Sequence, residues 1–154
     1  MGKDNRIAEL YKYFLKSQKI STDTRNIEEG SLFFALKGPN FNANQFAKQA
    51  LNSGAILAII DEEEFLEQND SRYFLVPDVL QCLQNLASYH RLKFKIPVIG
   101  IGGSNGKTTT KELVAAVLNK RYNTLYTLGN LNNHIGVPLT LLRISEETEM
   151  AVIE

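Results

Sequence analysis

Apolar positions along the chain switch between helical spacing and short uninterrupted runs. Ile7, Leu10, Tyr11, Phe14 and Leu15 fall at i, i+3, i+4, i+7 and i+8, which predicts an amphipathic helix over residues 5–17. The pattern breaks at Ser21-Thr22-Asp23-Thr24-Arg25. Glu28-Glu29-Gly30 then makes a turn ahead of a buried strand over residues 31–36, which Lys37-Gly38-Pro39-Asn40 ends. Phe46, Ala47, Ala50 and Leu51 predict a second helix, closed by Asn52-Ser53-Gly54 in the manner of a glycine C-cap. Residues 55–60 form an apolar strand, and the acidic run at 61–64 reads as a solvated helix start with no function assigned. Another short strand covers 73–76. Asp78 then serves as N-cap for a helix with Val79, Leu83, Leu86, Ala87 and His90 on one face.

Lys93-Phe94-Lys95 interrupts the helical spacing, which places a domain boundary at about residue 95 and gives domains 1–94 and 95–154. Beyond it an apolar run at 96–101 predicts a strand, and Leu113, Val114, Val117 and Leu118 a helix. Residues 124–128 form a strand and 129–138 a long polar turn. Leu139, Leu141 and Leu142 suggest a short helix, and 150–154 a strand whose last residue, Glu154, is acidic. Strands alternating with helices make this an α/β chain, a small α/β domain followed by the start of a parallel sheet. No internal repeat or low-complexity segment interrupts it.

Composition narrows the function without choosing it. Seventeen basic residues balance seventeen acidic ones, so there is no electrostatic footprint for nucleic acid or an anionic membrane. No uncharged apolar run nears the ~18 residues that span a bilayer, and the N-terminus lacks the apolar core of a signal peptide. The single cysteine, Cys82, falls inside a helical pattern and reads as packing; a reducing cytoplasm is the expected compartment. His90 is one of two histidines, with no metal or acid–base partner nearby in sequence, and reads as a helix-surface or packing residue.

The chemistry is concentrated in residues 96–112, where an apolar strand leads into a glycine-rich turn and then Gly106-Lys107-Thr108-Thr109-Thr110. A triphosphate needs converging backbone N–H groups, a cation and a hydroxyl for its metal. Gly103, Ser104, Asn105 and Gly106 offer the turn, and the following helix offers its N-terminal dipole. Lys107 reaches the β/γ oxygens, Thr108 places a hydroxyl for Mg²⁺, and Thr109 adds a second hydroxyl. The fit to G-x-x-x-x-G-K-[ST] is partial, because Ile101 stands at the first glycine and Gly100 lies one residue earlier. A glycine-rich connector with no ligand is the alternative. Glu154, a carboxylate ending an apolar strand downstream of that loop, is either a second magnesium ligand or simply a strand-end acid.

The order of these segments resembles the Mur ligases, and within them the branch that joins D-alanyl-D-alanine to a UDP-N-acetylmuramoyl tripeptide. Asp23-Thr24-Arg25, the run from Gly30 through Leu36-Lys37-Gly38, the phosphate loop through Lys111-Glu112, Gly129-Asn130-Leu131-Asn132-Asn133, Gly136-Val137-Pro138 with Leu139-Thr140-Leu141-Leu142, and Val152-Ile153-Glu154 carry the resemblance over nearly the whole chain. It implies an ATP-dependent, ADP-forming ligase of peptidoglycan synthesis. ATP phosphorylates a carboxylate and an incoming amine attacks the acyl phosphate. The resemblance makes Lys107 a γ-phosphate contact, Thr108 and Glu154 magnesium ligands, and Asn133 or a neighbouring asparagine a group near the transferred phosphoryl. Thr24, Arg25, Gly38, Pro39 and Asn40 become part of a UDP-sugar pocket, so that residues 1–94 are the UDP-sugar domain and 95–154 the first part of the ATPase domain. The implied partners are the UDP-N-acetylmuramoyl peptide and D-alanyl-D-alanine, with a monomeric full-length enzyme.

Two departures stand out: Thr24 where the family usually has serine, and Asn42-Ala43-Asn44 where it usually has Asp-Gly-His. Another Mur ligase, a folylpolyglutamate-synthase relative and a non-catalytic nucleotide-binding module are the competing readings. The family's remaining metal, nucleobase and amine sites have no counterpart here, so the chain is expected to be a fragment without ligase activity. Its second half is expected to be partly disordered, rearranged or held by a second chain. The last strand should leave its far side open, a route to self-association.

Overall fold

The computed structural model describes residues 3–17 and 19–154. Contacts divide the chain into two compact units, 1–83 and 84–154. The division falls within a helix, upstream of the boundary expected at 95, because the later turns of that helix are tied to the second unit. Gln84 Nε2 donates to the His134 carbonyl (3.1 Å), and His90 Nε2 pairs with the Ile144 carbonyl at 2.8 Å.

The first unit begins with α1, Lys3–Ser17. Leu10, Tyr11 and Phe14 are buried as the periodicity requires, whereas Leu15, at the margin of the stripe, is half exposed. The strands β1 (Ile20–Ser21), β2 (Leu32–Phe34), β5 (Leu57–Ile60) and β6 (Tyr73–Leu75) form one parallel sheet in the order β1-β2-β5-β6. Their register pairs Ile20 with Leu32, Phe33 with Ala58 and Ile59 with Phe74. All residues of β2 and β5 are buried, the continuous apolar run of strands covered on both faces. Between β2 and β5 lie the two-stranded hairpin β3 (Lys37–Gly38) and β4 (Phe41–Asn42), and the crossover helix α2, Ala47–Asn52. Phe33, Ala43, Ala47, Ala50, Leu51 and Ile60 share the core under that crossover.

Helix α3, Val79–Arg91, starts where expected: Asp78 Oδ1 accepts from the Gln81 N–H at 2.7 Å. Val79, Leu83, Leu86, Ala87 and His90 are all buried. His90 is a packing residue as read, edge-on to Phe94 with centroids 4.9 Å apart.

The second unit contains β7 (Val98–Gly100), α4 (Lys107–Leu118), β8 (Thr124–Tyr126), α5 (Gly136–Leu141) and β9 (Met150–Ile153). Its three strands are parallel in the order β7-β9-β8, with Ile99 against Val152 and Leu125 against Ala151. This corrects the expectation that the last strand leaves one side open, since β9 is paired along both edges and, among the described residues, the unpaired edges belong to β7 and β8. A second correction concerns α4. Leu113 and Val117 are 63% and 71% exposed, and the inward stripe is Lys111, Val114, Ala115 and Leu118.

Candidate functional site

The phosphate loop is set by two glycines. Gly103 and Gly106 have φ of +145° and +75°, and Gly106 is the left-handed cap from which α4 starts. A Cβ at Gly106 would meet nothing within 4 Å, so the glycine is required by backbone conformation and not by crowding. Gly103, Ser104, Asn105 and Gly106 lie exposed on this turn, with Thr108 and Thr109 exposed on the first turn of α4 and Lys107 partly exposed. A turn that aims the free N–H groups of a three-turn helix outward, beside a lysine and two hydroxyls, is a concave donor set for an anion.

The middle strand of the sheet brings Glu154 to the same place. Its backbone N–H donates to Thr127 Oγ1 at 3.0 Å, which fixes the residue as β9 ends. Its carboxylate side chain is only 1% exposed. Oε1 accepts from Thr108 Oγ1 at 3.0 Å and from Asn132 Nδ2 at 2.8 Å. Oε2 is buried with no hydrogen-bond partner and faces Lys111 Nζ at 3.9 Å. The Asn132 bond leads the effects that hold this carboxyl below its usual range, helped by Thr108 and by the charges of Lys111 and Lys107 and opposed by burial. An ionised carboxylate touching a loop threonine is a hard-oxygen pair with spare acceptor capacity. That suits Mg²⁺, which keeps much of its water and takes one or two protein oxygens beside phosphates. Thr108 and Glu154 are the residues that would hold it.

Asn133 is engaged differently. Its Oδ1 accepts from the N–H groups of Ile135 (3.0 Å) and Gly136 (2.8 Å), which caps α5, and it is the neighbouring Asn132 that reaches Glu154. Sequence reading also passed over Lys111. The signal was available in its spacing, one helical turn beyond Lys107 and Thr108 and on their face.

In the first unit the expected UDP-sugar residues stand on loops that follow β1 and β2. Parallel strands put those loops at one edge of the sheet, the carboxyl edge where open α/β sheets gather ligands. Thr24 and Arg25 lie in a 3₁₀ turn, Thr24–Asn26, capped by Asp23. Arg25 Nε and Nη2 donate to the Asp23 carboxylate at 3.0 and 2.6 Å, which holds that carboxyl down at about 2. The Arg25 side chain is nonetheless 88% exposed. Gly38, Pro39 and Asn40 form the exposed tip of the β3–β4 hairpin.

A polar network that the sequence reading missed anchors this hairpin. Lys37 Nζ lies 3.0 Å from Asp61 Oδ1 and 3.1 Å from Glu62 Oε1. Asn42 Nδ2 donates to Glu62 Oε2 at 2.7 Å, the leading cause of the lowered Glu62 carboxyl. Buried Asn44 donates to Asp61 Oδ1 (2.9 Å) and accepts from the Asp61 N–H (3.0 Å). The two asparagines that depart from Asp-Gly-His are thus fully engaged. Asp61, read as the start of a solvated run, is 6% exposed and also accepts from the Val79 N–H. Beside it a cavity of 390 Å³ is lined by Arg6, Asp61, Glu63, Leu75, Val76 and Pro77.

Among the described residues no helix is long and apolar enough to cross a membrane. Two family models match the chain: "Mur ligase family, catalytic domain" over residues 16–91 and "Mur ligase middle domain" over 101–154. The UDP-N-acetylmuramoyl-tripeptide–D-alanyl-D-alanine ligase of Synechocystis sp. is 45% identical over 141 residues, 91% of this chain and 31% of that protein. MurF from Acinetobacter baumannii superposes with a TM-score of 0.80 at 38% identity, covering 88% of this chain and 30% of its own. The MurF ligase of Thermotoga maritima in complex with ADP gives 0.80 at 33%, covering 91% and 32%. The chain therefore spans less than a third of the length of the relatives it matches. Matched in sequence through both units and in fold to solved ligases, the chain belongs to the Mur ligase family.

Proposed function

We propose that this chain supplies the sugar-nucleotide and phosphate-binding parts of an ATP-dependent ligase that joins D-alanyl-D-alanine to a UDP-N-acetylmuramoyl tripeptide in the cytoplasm. The observation that carries the reading is the meeting of Thr108, Asn132 and Glu154 at the mouth of the phosphate loop. In the reaction the γ-phosphoryl group passes from ATP to the tripeptide's terminal carboxylate, giving ADP and an acyl phosphate. The amine then attacks the acyl carbon, phosphate leaves, and the amine loses a proton as the amide forms. Lys107 and the Gly103–Gly106 turn orient the phosphates and stabilise charge on the transferred group. Thr108 and Glu154 would hold a magnesium ion, which would neutralise phosphate charge there. Thr24, Arg25 and the Gly38-Pro39-Asn40 tip hold the UDP-sugar. Arg25 presents its outer N–H groups to the diphosphate while Asp23 fixes its plane.

Calorimetric titration with Mg-ATP and, separately, with UDP-N-acetylmuramoyl tripeptide tests this. Both should bind saturably. Lys107→Ala should abolish the first and leave the second within a few-fold; Arg25→Ala should weaken only the second. Equal loss of both ligands in either variant, or no heat with the sugar nucleotide at millimolar concentration, would refute the assignment.

A further inference from the structure

Lys111 is the one fully buried cation of the second unit's described residues, and the reaction as derived above gives it no task. Burying an ammonium ion is unfavourable unless acceptors and an opposite charge meet it. Three groups do so. Nζ donates to the Gly129 carbonyl at 3.2 Å, lies 3.0 Å from Glu112 Oε1 and faces Glu154 Oε2 at 3.9 Å. Gly129, at φ +51°, begins the loop that carries Asn132. Glu154 Oε2 is otherwise an orphaned buried oxygen, so Lys111, ahead of Lys107, is its main compensating charge.

We propose that Lys111 is a positioning residue for the metal–nucleotide end of the site. It balances the inner oxygen of Glu154 and tethers the Gly129 carbonyl, so that Oε1 stays turned toward Thr108 and Asn132. Without the ammonium group the carboxylate has a buried oxygen with no close partner and turns to hydrate it. The Asn132 loop loses an anchor at the same time. The phosphate loop's own glycines and Lys107 are not held by Lys111, so bare nucleotide binding survives its removal. What goes is the coupling between divalent cation and nucleotide.

This inference rests on the function proposed above, and the test separates the two. ADP affinity is measured calorimetrically with and without Mg²⁺, and Mn²⁺ binding is followed by its electron paramagnetic resonance signal, for the wild-type chain, Lys111→Met and Lys111→Gln. The glutamine variant keeps a donor for the Gly129 carbonyl but no charge, and guards against a methionine variant that fails to fold. Circular dichroism reports folding of each. In the wild type Mg²⁺ should tighten ADP severalfold. In both folded variants that tightening should be largely lost, Mg²⁺ changing ADP affinity by no more than about twofold, while metal-free ADP affinity stays within about twofold. Unchanged or increased cation coupling in folded variants would overturn the inference, as would parallel loss of metal-free and metal-bound affinity. Absence of nucleotide binding in the wild type would instead overturn the underlying functional reading.

Discussion

Gly136 offers a case in which two physical effects of opposite sign can be weighed. It opens α5, and in an exposed helix interior alanine outdoes glycine by about 1 kcal/mol, so propensity alone predicts that Gly136→Ala stabilises. Packing says otherwise. A Cβ built at Gly136 would lie 2.5 Å from the Leu131 carbonyl carbon and 2.6 Å from its Cα and oxygen, all backbone atoms. Carbon atoms rest about 3.5–4.0 Å apart, so the overlap is roughly 1 Å and no rotamer change can relieve it. The loop must move, at a cost typical of forced overpacking, about 1–3 kcal/mol. The net expectation is destabilisation of up to about 2 kcal/mol, with Tm lower by roughly 4–8 °C for each kcal/mol in a unit of this size. Because the displaced residue precedes Asn132, the same variant should weaken Mg²⁺-dependent ADP binding. Urea denaturation gives the first quantity and calorimetry the second. A variant more stable than the wild type would show that the loop is free to yield, and that the Asn132–Glu154 contact is not set by this close approach.

Two further outcomes follow from buried groups. Burial, opposed by the bond to the Ile144 carbonyl, holds the His90 imidazole below its ordinary 6.5, so the native state resists a proton that the unfolded chain takes up. Stability is then complete above that value and falls as the pH drops through it, by at most about 1.4 kcal/mol per pH unit from this residue; denaturation at pH 7.5 and 5.5 should show a smaller difference for His90→Gln. The Cys82 thiol is pushed up to about 12 by burial, so a chromogenic disulfide reagent at pH 8 should find no reactive thiol in the native protein and one after unfolding.

Helical periodicity was the most legible feature of the sequence. The face of α3 is buried residue for residue, and that of α1 at Leu10, Tyr11 and Phe14, with Ile7 half-buried and Leu15 at the margin. The two-residue strands β1, β3 and β4 were too short to leave a period. On α4 the hydrophobic signal pointed partly the wrong way, because Leu113 and Val117 count as apolar and Lys111 as polar in any window. The lysine is drawn inward by a carboxylate from β9 and a carbonyl from a distant loop. Neither partner is visible in the local pattern. Asp61 was hidden likewise, its solvation replaced by Lys37, Asn44 and the Val79 N–H. The phosphate loop was readable since backbone geometry and chemistry coincide in adjacent residues. Which asparagine would face Glu154 was not, because helix capping claims one of two identical neighbours. Strand order was equally silent, since all parallel strands read as apolar runs.

The position of β9 has a kinetic meaning. Among the described residues β7 and β8 form no ladder with each other, and each is hydrogen-bonded only to β9, the last of the three along the chain. During synthesis the phosphate loop therefore emerges from the ribosome well before anything can hold the strand that precedes it, and its neighbours wait for residues 150–153. Closing those long loops precedes any gain from pairing, a topology that folds slowly. The turn at Gly103–Gly106 is thus seated only after residue 153 has been made, and Glu154 arrives with the strand that joins the sheet.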